Sequence, residues 1–150
     1  MFEHDYKQFP ELTNKQLQEF GFSSPHPQIE ADFRATVMAV TDGDTVTLRT
    51  TFRDFDFPLR LLDVDAPELS EGGDETKLWL QQLIEGQDVD VLINSLNRVG
   101  KYGRLLGTIM FNGLNVAQEE IHLGLAVPFG RKKESEVPDI GQVINIDEWL

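Results

Sequence analysis

The sequence predicts a mainly β (α+β) domain built on a small closed barrel. Five stretches alternate between apolar and polar residues or are rich in β-branched residues, as the strands of a half-buried sheet are. Three of the five precede a stretch whose apolar residues recur at helical spacing, and a shorter helical stretch follows the fifth. The order βββαββα matches an OB-fold five-stranded barrel with two or three packed helices.

The first three strands are predicted at residues 33–40, 45–52 and 57–64. The first two flank Asp42-Gly43, a dipeptide typical of hairpin turns because glycine readily adopts the positive φ that the turn needs and aspartate tolerates it. The third strand ends before Pro67. In a straight strand Arg60 and Asp65 would point to opposite faces, so we expect a bend before Pro67 that brings them together.

The second half of the pattern is helix, two strands and helix. The first helix, within GGDETKLWLQQLIEG, has an apolar stripe that we expect to lie in the core, formed by Leu78, Leu80, Leu83 and Ile84. Trp79 is expected to be semi-exposed beside this stripe, and Gly86 ends the helix. The later strands and helix are predicted at residues 87–93, 104–111 and 115–124, with a turn at Asn112-Gly113.

We divide the chain into an N-terminal extension, a barrel domain and a C-terminal tail, at residues 1–32, 33–129 and 130–150. The extension is polar and contains one possible short helix from Thr13 to Phe20, where Thr13 and Gln16 have the spacing of a capping box and Gly21 follows. We expect this extension to pack on the domain.

The composition excludes several classes of protein. The 150 residues suffice for one domain with a single core, and no cysteine is present to form a disulfide or a thiolate metal site. The N-terminus lacks the basic and apolar regions of a secretory signal, and no stretch is apolar for the roughly 18 residues that a membrane span needs. We expect a soluble, intracellular monomer with no membrane partner.

The charge balance is strongly acidic. With 26 acidic and 13 basic side chains, the net charge is −13. A protein that coats nucleic acid through phosphate contacts usually carries a basic surface. We therefore expect that any polyanion is held by a few positioned cations, or through a bound metal that reverses the local charge.

Three carboxylates are predicted to lie at one end of adjacent strands. Asp44 begins the second strand, Asp65 ends the third, and Glu68 follows one turn later. Like charges so close are costly unless they share a cation or a proton. Oxygen ligands without a nearby histidine or cysteine select a hard ion such as Ca²⁺ or Mg²⁺. The alternative is structural: Arg60 pairs with these aspartates in a salt-bridge network.

Three motifs in combination resemble those of a known family. VTDGDTVTL, PLRLLDVDAPE and GKYGRLLG occur in this order, and over about residues 33–129 the chain is similar to the staphylococcal nuclease (thermonuclease-like) family. The resemblance implies an OB barrel and hydrolysis of phosphodiester bonds. It implies Ca²⁺ as the cofactor and DNA and/or RNA as the substrate.

The resemblance also implies roles for the acidic residues. Asp44 and Asp65 would be the calcium ligands, and Asp42 would lie behind them and bond to water on the metal. Glu68 would orient or deprotonate the attacking water. Each role suits an oxygen-rich site that must activate water.

The same resemblance places basic and aromatic residues at the substrate. Arg60 and Arg104 would grip the scissile phosphate with their planar guanidinium forks. Lys101 and Tyr102 match residues that line the nucleotide pocket.

The chain departs from the family pattern in three places. Gly100 stands where the family often has an acidic residue, the segment between Glu68 and the first helix is short, and VPFGRKK replaces a stretch that bears tyrosine and lysine. These losses bear on substrate affinity and preference more than on the reaction.

Two alternatives to the enzyme stay open. One is a catalytically inactive, nuclease-like module that binds nucleic acid or protein. The other is a structural barrel with a calcium clamp, against which the two arginines count. Inactive members of such folds normally lose several charged site residues, whereas this chain keeps Asp44, Asp65, Glu68, Arg60 and Arg104.

Overall fold

A computed structural model describes residues 10–14, 28–62, 64–67, 72–100 and 103–129. The strands are β1 (Phe33–Asp42), β2 (Thr45–Arg49), β3 (Phe57–Leu61), β4 (Val64–Asp65), β5 (Asp88–Leu92), β6 (Leu105–Phe111), β7 (Leu114–Asn115) and β8 (Val127–Pro128). The helices are α1 (Gly73–Ile84) and α2 (Val116–His122). The five predicted strands and both predicted helices are present in the predicted order.

The five longer strands close into a barrel. They run β3-β2-β1-β5-β6 in the sheet, and an additional pairing of β3 with β6 joins its two ends. This closing pair is parallel, with Leu59 opposite Leu105, while the other barrel pairs are antiparallel. The predicted OB-fold five-stranded barrel is therefore confirmed. The two-residue strands β4 and β8 pair with each other outside it.

The predicted third strand is divided in two. β3 ends at Leu61 and β4 begins at Val64, and between them the Leu62 N–H donates to the carbonyl of Gly107 in β6. The break turns the chain, so that Arg60 and Asp65 meet although their sequence positions have opposite parity. The expected bend before Pro67 is confirmed.

The turn between β1 and β2 needs its glycine for steric reasons. The positive φ predicted for Gly43 is wrong, because Gly43 is not among the glycines with positive φ. A Cβ at Gly43 would lie 2.5 Å from Cγ2 of Thr76 and 2.8 Å from Cβ of Ala66. The absent side chain lets α1 and the segment after β4 pack directly on the turn.

The second predicted turn has the backbone conformation that its sequence favours. Asn112 has φ 51° and Gly113 has φ 82°, as a tight turn with two left-handed residues requires. This turn joins β6 to β7, whose pairing places Phe111 opposite Leu114. The predicted turn at Asn112-Gly113 is confirmed.

Helix α1 packs against the core along a face that differs from the predicted stripe. Leu80 and Ile84 are fully buried, and Trp79 and Leu83 are partly buried against the core, as expected. The core position predicted for Leu78 is wrong, since its side chain is 53% exposed. The buried face follows Gly73, Thr76, Leu80 and Ile84, and a residue two positions before Leu80 lies on the far side of the helix.

The described part of the N-terminal extension packs on the barrel. Leu12 and Ile29 are buried, and Ile29 belongs to the hydrophobic core. The predicted helix from Thr13 to Phe20 lies largely outside the described residues, as does the tail from Gly130. Among the helices that the structure describes, none has the length and apolar character to cross a membrane.

Replacing Gly43 with Ala is expected to lower the free energy of unfolding by about 1–3 kcal/mol, because the new Cβ would overlap Thr76 and Ala66. In a Thr76→Ser background the loss should be smaller. Serine removes Cγ2 and keeps the hydroxyl that donates to the Leu125 carbonyl. Urea denaturation of the four proteins measures the coupling. Equal losses in both backgrounds would contradict the steric explanation.

Candidate functional site

The two aspartates of the β1–β2 turn form one hydrogen-bonded unit. Oδ1 of Asp42 accepts the backbone N–H of Asp44 at 3.1 Å. The Asp44 carboxylate accepts the Thr45 hydroxyl at 3.1 Å and the Ala66 N–H at 3.0 Å. Burial above all, and then the Asp42 carboxyl, raise the pKa of Asp44, whereas the Ala66 N–H and the Arg60 guanidinium oppose this rise. Asp44 therefore holds a proton more readily than an exposed aspartate does.

Arg60 links the two aspartates that were predicted to bind metal. Its Nη2 lies 2.5 Å from Oδ1 of Asp65 and 3.4 Å from Oδ2 of Asp44, and its Nη1 donates to the Leu61 carbonyl. All three charged side chains are less than one-fifth exposed. The predicted salt-bridge network is therefore present, and contact of Arg60 with a phosphate stays a prediction.

Arg104 directly precedes β6, the strand that pairs with the strand of Arg60. The parallel register pairs Leu59 with Leu105 and Arg60 with Leu106. Since side chains alternate along a strand, Arg104 and Arg60 project from the same outer face of the barrel. Among the described residues, the buried Nε–H of Arg104 has no hydrogen-bond partner. Such a group is costly, and a bound anion would satisfy it.

Three predicted site residues, Glu68, Lys101 and Tyr102, lie outside the described residues. The structure brings Asp42, Asp44, Asp65 and Arg60 together at one end of the barrel. The roles inferred for all of these residues stay predictions.

Residues 58–144 match the protein family described as staphylococcal nuclease homologue, which is more than half of the chain. The chain belongs to the staphylococcal nuclease family. The matched range contains Arg60, Asp65 and Arg104, while Asp42 and Asp44 precede it. The resemblance of the second and third motifs to staphylococcal nuclease is thus confirmed by the family match. The first motif is tied to them by the contacts of Asp44 with Arg60 and Ala66.

A curated relative supports the same family. The chain is 37% identical over 83 residues to the micrococcal nuclease of Shigella flexneri. The similar part covers 53% of this chain and 43% of that relative. The chain thus spans less than half the length of the nuclease that it matches.

The acidic residues of this staphylococcal nuclease homologue fit a hard cation in their donor chemistry. Asp44 and Asp65 offer carboxylate oxygens, and both contact the same nitrogen of Arg60. In the part of the chain that the structure describes, no three acidic or histidine side chains are arranged so that they could hold a metal. Glu68, the third carboxylate of the motif, lies outside that part. The role of Asp44 and Asp65 as calcium ligands therefore stays a prediction.

Glu120 is a buried carboxyl group near the site that sequence patterns did not identify. It is 0% exposed, and neither of its oxygens has a hydrogen-bond partner among the described residues. Burial, and then the charges of Asp44 and Asp42, raise the pKa of Glu120 to about 9. Helical spacing could have revealed it, since Val116, Ala117 and Glu120 share the buried face of α2.

Phe129 places an exposed aromatic ring against Arg60, and sequence analysis overlooked it as well. The guanidinium carbon of Arg60 lies 5.4 Å from the ring centroid, and Phe129 is 60% exposed. From the sequence we considered the tyrosine and lysine that VPFGRKK lacks, and we assigned no role to the phenylalanine within this stretch. An exposed ring beside a guanidinium is a surface on which a nucleobase can stack.

The raised pKa of Glu120 predicts that stability falls with pH. In the unfolded chain a glutamate loses its proton near pH ~4.3, whereas folded Glu120 keeps it until the pH reaches about 9. The unfolded state is therefore increasingly favoured between these values. Glu120→Leu should raise the free energy of unfolding at pH ~8 by on the order of 2–5 kcal/mol and should flatten its pH dependence.

Chemical denaturation across this pH range measures the effect. Glu119→Gln is the matched control, since Glu119 is the preceding glutamate of α2 and is partly exposed. It should leave the slope unchanged. If Glu120→Leu retained the slope of the wild type, the pH dependence would have another origin.

Proposed function

We propose that this chain is a calcium-dependent nuclease that hydrolyses phosphodiester bonds of DNA and/or RNA. The observation that carries the proposal is the position of Arg104, whose buried Nε–H has no described partner and whose strand pairs with that of Arg60. A buried guanidinium with an unused N–H, on the strand next to that of a second arginine, suits a bound phosphate. Membership of the staphylococcal nuclease family supports the nuclease chemistry.

The proposed roles follow from what hydrolysis of a phosphodiester requires. The substrate is already anionic, so it needs charge neutralisation on the non-bridging oxygens, an activated water and support for the leaving oxygen. When bound by Asp44 and Asp65, calcium supplies part of this neutralisation. Arg60 and Arg104 donate hydrogen bonds to the phosphate oxygens. Glu68 accepts a proton from water as the water oxygen bonds to phosphorus and the bond to the leaving ester oxygen breaks.

Three further residues complete the proposed site. Asp42 orients Asp44 by accepting its backbone N–H, and Lys101 and Tyr102 line the nucleotide pocket. We also propose that the protein acts as a monomer.

A catalytically inactive module that binds nucleic acid or protein is the second candidate. The ion pairs of Arg60 favour it, because they keep the arginine and both aspartates engaged with one another. An enzyme must loosen these contacts to admit a phosphate. The two candidates differ in one measurable property, which is turnover.

Hydrolysis of single-stranded DNA or RNA should require Ca²⁺, stop in excess chelator and resume when Ca²⁺ is restored, because the two aspartates are themselves anionic and repel the phosphate unless a cation lies between them. Product lengths on a denaturing gel measure this. An Asp44→Asn, Asp65→Asn double variant keeps the side-chain volumes and should be inactive at every calcium concentration. Full activity in chelator, with elemental analysis showing no metal, would exclude calcium. Absence of cleavage by the wild type would favour the binding module.

Arg104→Lys should reduce kcat by about 10²-fold, because lysine keeps the charge and loses the planar fork. The Tm should change little, since Arg104 Nε has no described partner to lose. Arg60→Lys should lower both kcat and Tm, because Arg60 also holds Asp44 and Asp65. Steady-state kinetics and thermal melts measure the two effects.

Arg34→Lys is the matched control, since Arg34 forms an exposed ion pair with Asp90 on the barrel. It should change neither kcat nor Tm. An Arg104→Lys enzyme with the kcat of the wild type would remove Arg104 from the proposed site.

A further inference from the structure

A buried cluster of ions joins the N-terminal extension to the barrel. The side chain of Glu11 is 0% exposed, and its Oε2 lies 2.5 Å from Nη1 of Arg53. Its Oε1 lies 3.6 Å from Nη2 of Arg98 and accepts the N–H of Ile29. The guanidinium of Arg53 also lies over the rings of Phe55 and Phe57, at 5.0 and 4.6 Å. One carboxylate thus pairs with two buried arginines.

The second arginine of the cluster belongs to the connection between β5 and β6. Arg98 is 3% exposed, and its guanidinium donates to the carbonyls of Ile29 and Leu12 and to Oδ1 of Asn14. In return, Nδ2 of Asn14 donates to the carbonyl of Ser95 in the same connection. The extension therefore holds the first part of this connection through both charge and hydrogen bonds.

The extension also contacts the far part of the connection, next to Arg104. The backbone N–H of Glu11 donates to the carbonyl of Gly103 at 3.0 Å. The two parts of the connection are bonded to each other, since Gly100 N–H donates to the Arg104 carbonyl and Leu106 N–H to that of Arg98. Every one of these bonds fixes backbone on either side of Arg104.

The buried ions of this cluster cost free energy that apolar residues packed in the same place would not. Burying three charged groups is expensive, and apolar residues of similar size commonly pack at least as stably. A charged cluster instead fixes one geometry, because each charge needs its partners in place. The hydrogen bonds around Arg104 reach its own backbone, since its carbonyl accepts the Gly100 N–H.

We propose that residues 10–14 form a positioning strap, centred on Glu11, that fixes the backbone of Arg104 for phosphate binding. The strap lies outside residues 58–144, which match the family. Glu11 and Arg98 are positioning residues, because they act through Arg104. The proposal rests on the nuclease function proposed above.

The test is a double-mutant cycle in the full chain. Glu11→Gln keeps the size of the side chain and removes the charge that Arg53 and Arg98 share. If Glu11 acts through Arg104, Glu11→Gln should lower kcat by about 10-fold or more in the wild type and have little effect in an Arg104→Ala background. Leu80→Ala, in the core on α1, is the control for a general loss of stability and should leave kcat unchanged at temperatures well below its Tm. An equal loss of kcat in both Arg104 backgrounds, or no loss, would overturn the proposal.

A second readout does not depend on activity. Amide hydrogen exchange at Gly100 and Leu106 should quicken in Glu11→Gln, while the Val91 amide in β5 should keep its protection. If the wild type proves inactive, the nuclease function fails while this measurement still tests the strap. Unchanged exchange at both amides would overturn it.

If Glu11→Gln does not fold, Asn14→Ala serves as the milder variant. It removes the bonds of Asn14 to Ser95 and Arg98 and leaves the buried ions in place. The same faster exchange and the same dependence on Arg104 are expected, and their absence would overturn the proposal.

Discussion

The parallel pairing of β3 with β6 is the contact on which both the barrel and the candidate site depend. It closes the sheet, and it sets Arg60 and Arg104 on neighbouring strands although the two residues are far apart in sequence. The break after Leu61 then returns the chain toward Asp44, whose carboxylate accepts the Ala66 N–H. The pairing that closes the barrel therefore also brings the charged residues of the candidate site together.

Much of the fold and of the candidate site could be predicted, because local sequence patterns determine the strands, the turns and the bend. Alternation identified the five barrel strands, and the conflict in parity between Arg60 and Asp65 identified the bend. Gly43 shows the limit: its dipeptide predicted a turn correctly, whereas the steric reason for glycine comes from Thr76 in a helix that packs on it. Leu78 shows another limit, since a run of leucines contains more apolar residues than one buried face can hold.

The burial of Glu11 and of Glu120 was not predicted, for a different reason. Each is a charged residue type that is almost always exposed, and each lies fully buried here. Only the three-dimensional neighbours distinguish them: Glu11 meets two arginines, whereas Glu120 faces the charges of Asp44 and Asp42 and has no described hydrogen-bond partner. The same type of side chain is therefore paired with cations at Glu11, whereas at Glu120 it destabilises the fold when it is ionised.

The buried contacts of Glu11 also bear on where this protein can be divided. Sequence patterns place the start of the barrel domain at Phe33, which would be the natural first residue of a shortened gene or a fusion. A fragment cut there would keep Arg53 and Arg98 and lose the carboxylate that pairs with both. The barrel and the described segment before it therefore form one structural unit, and a fusion or truncation that begins at Phe33 would leave two buried cations without this partner.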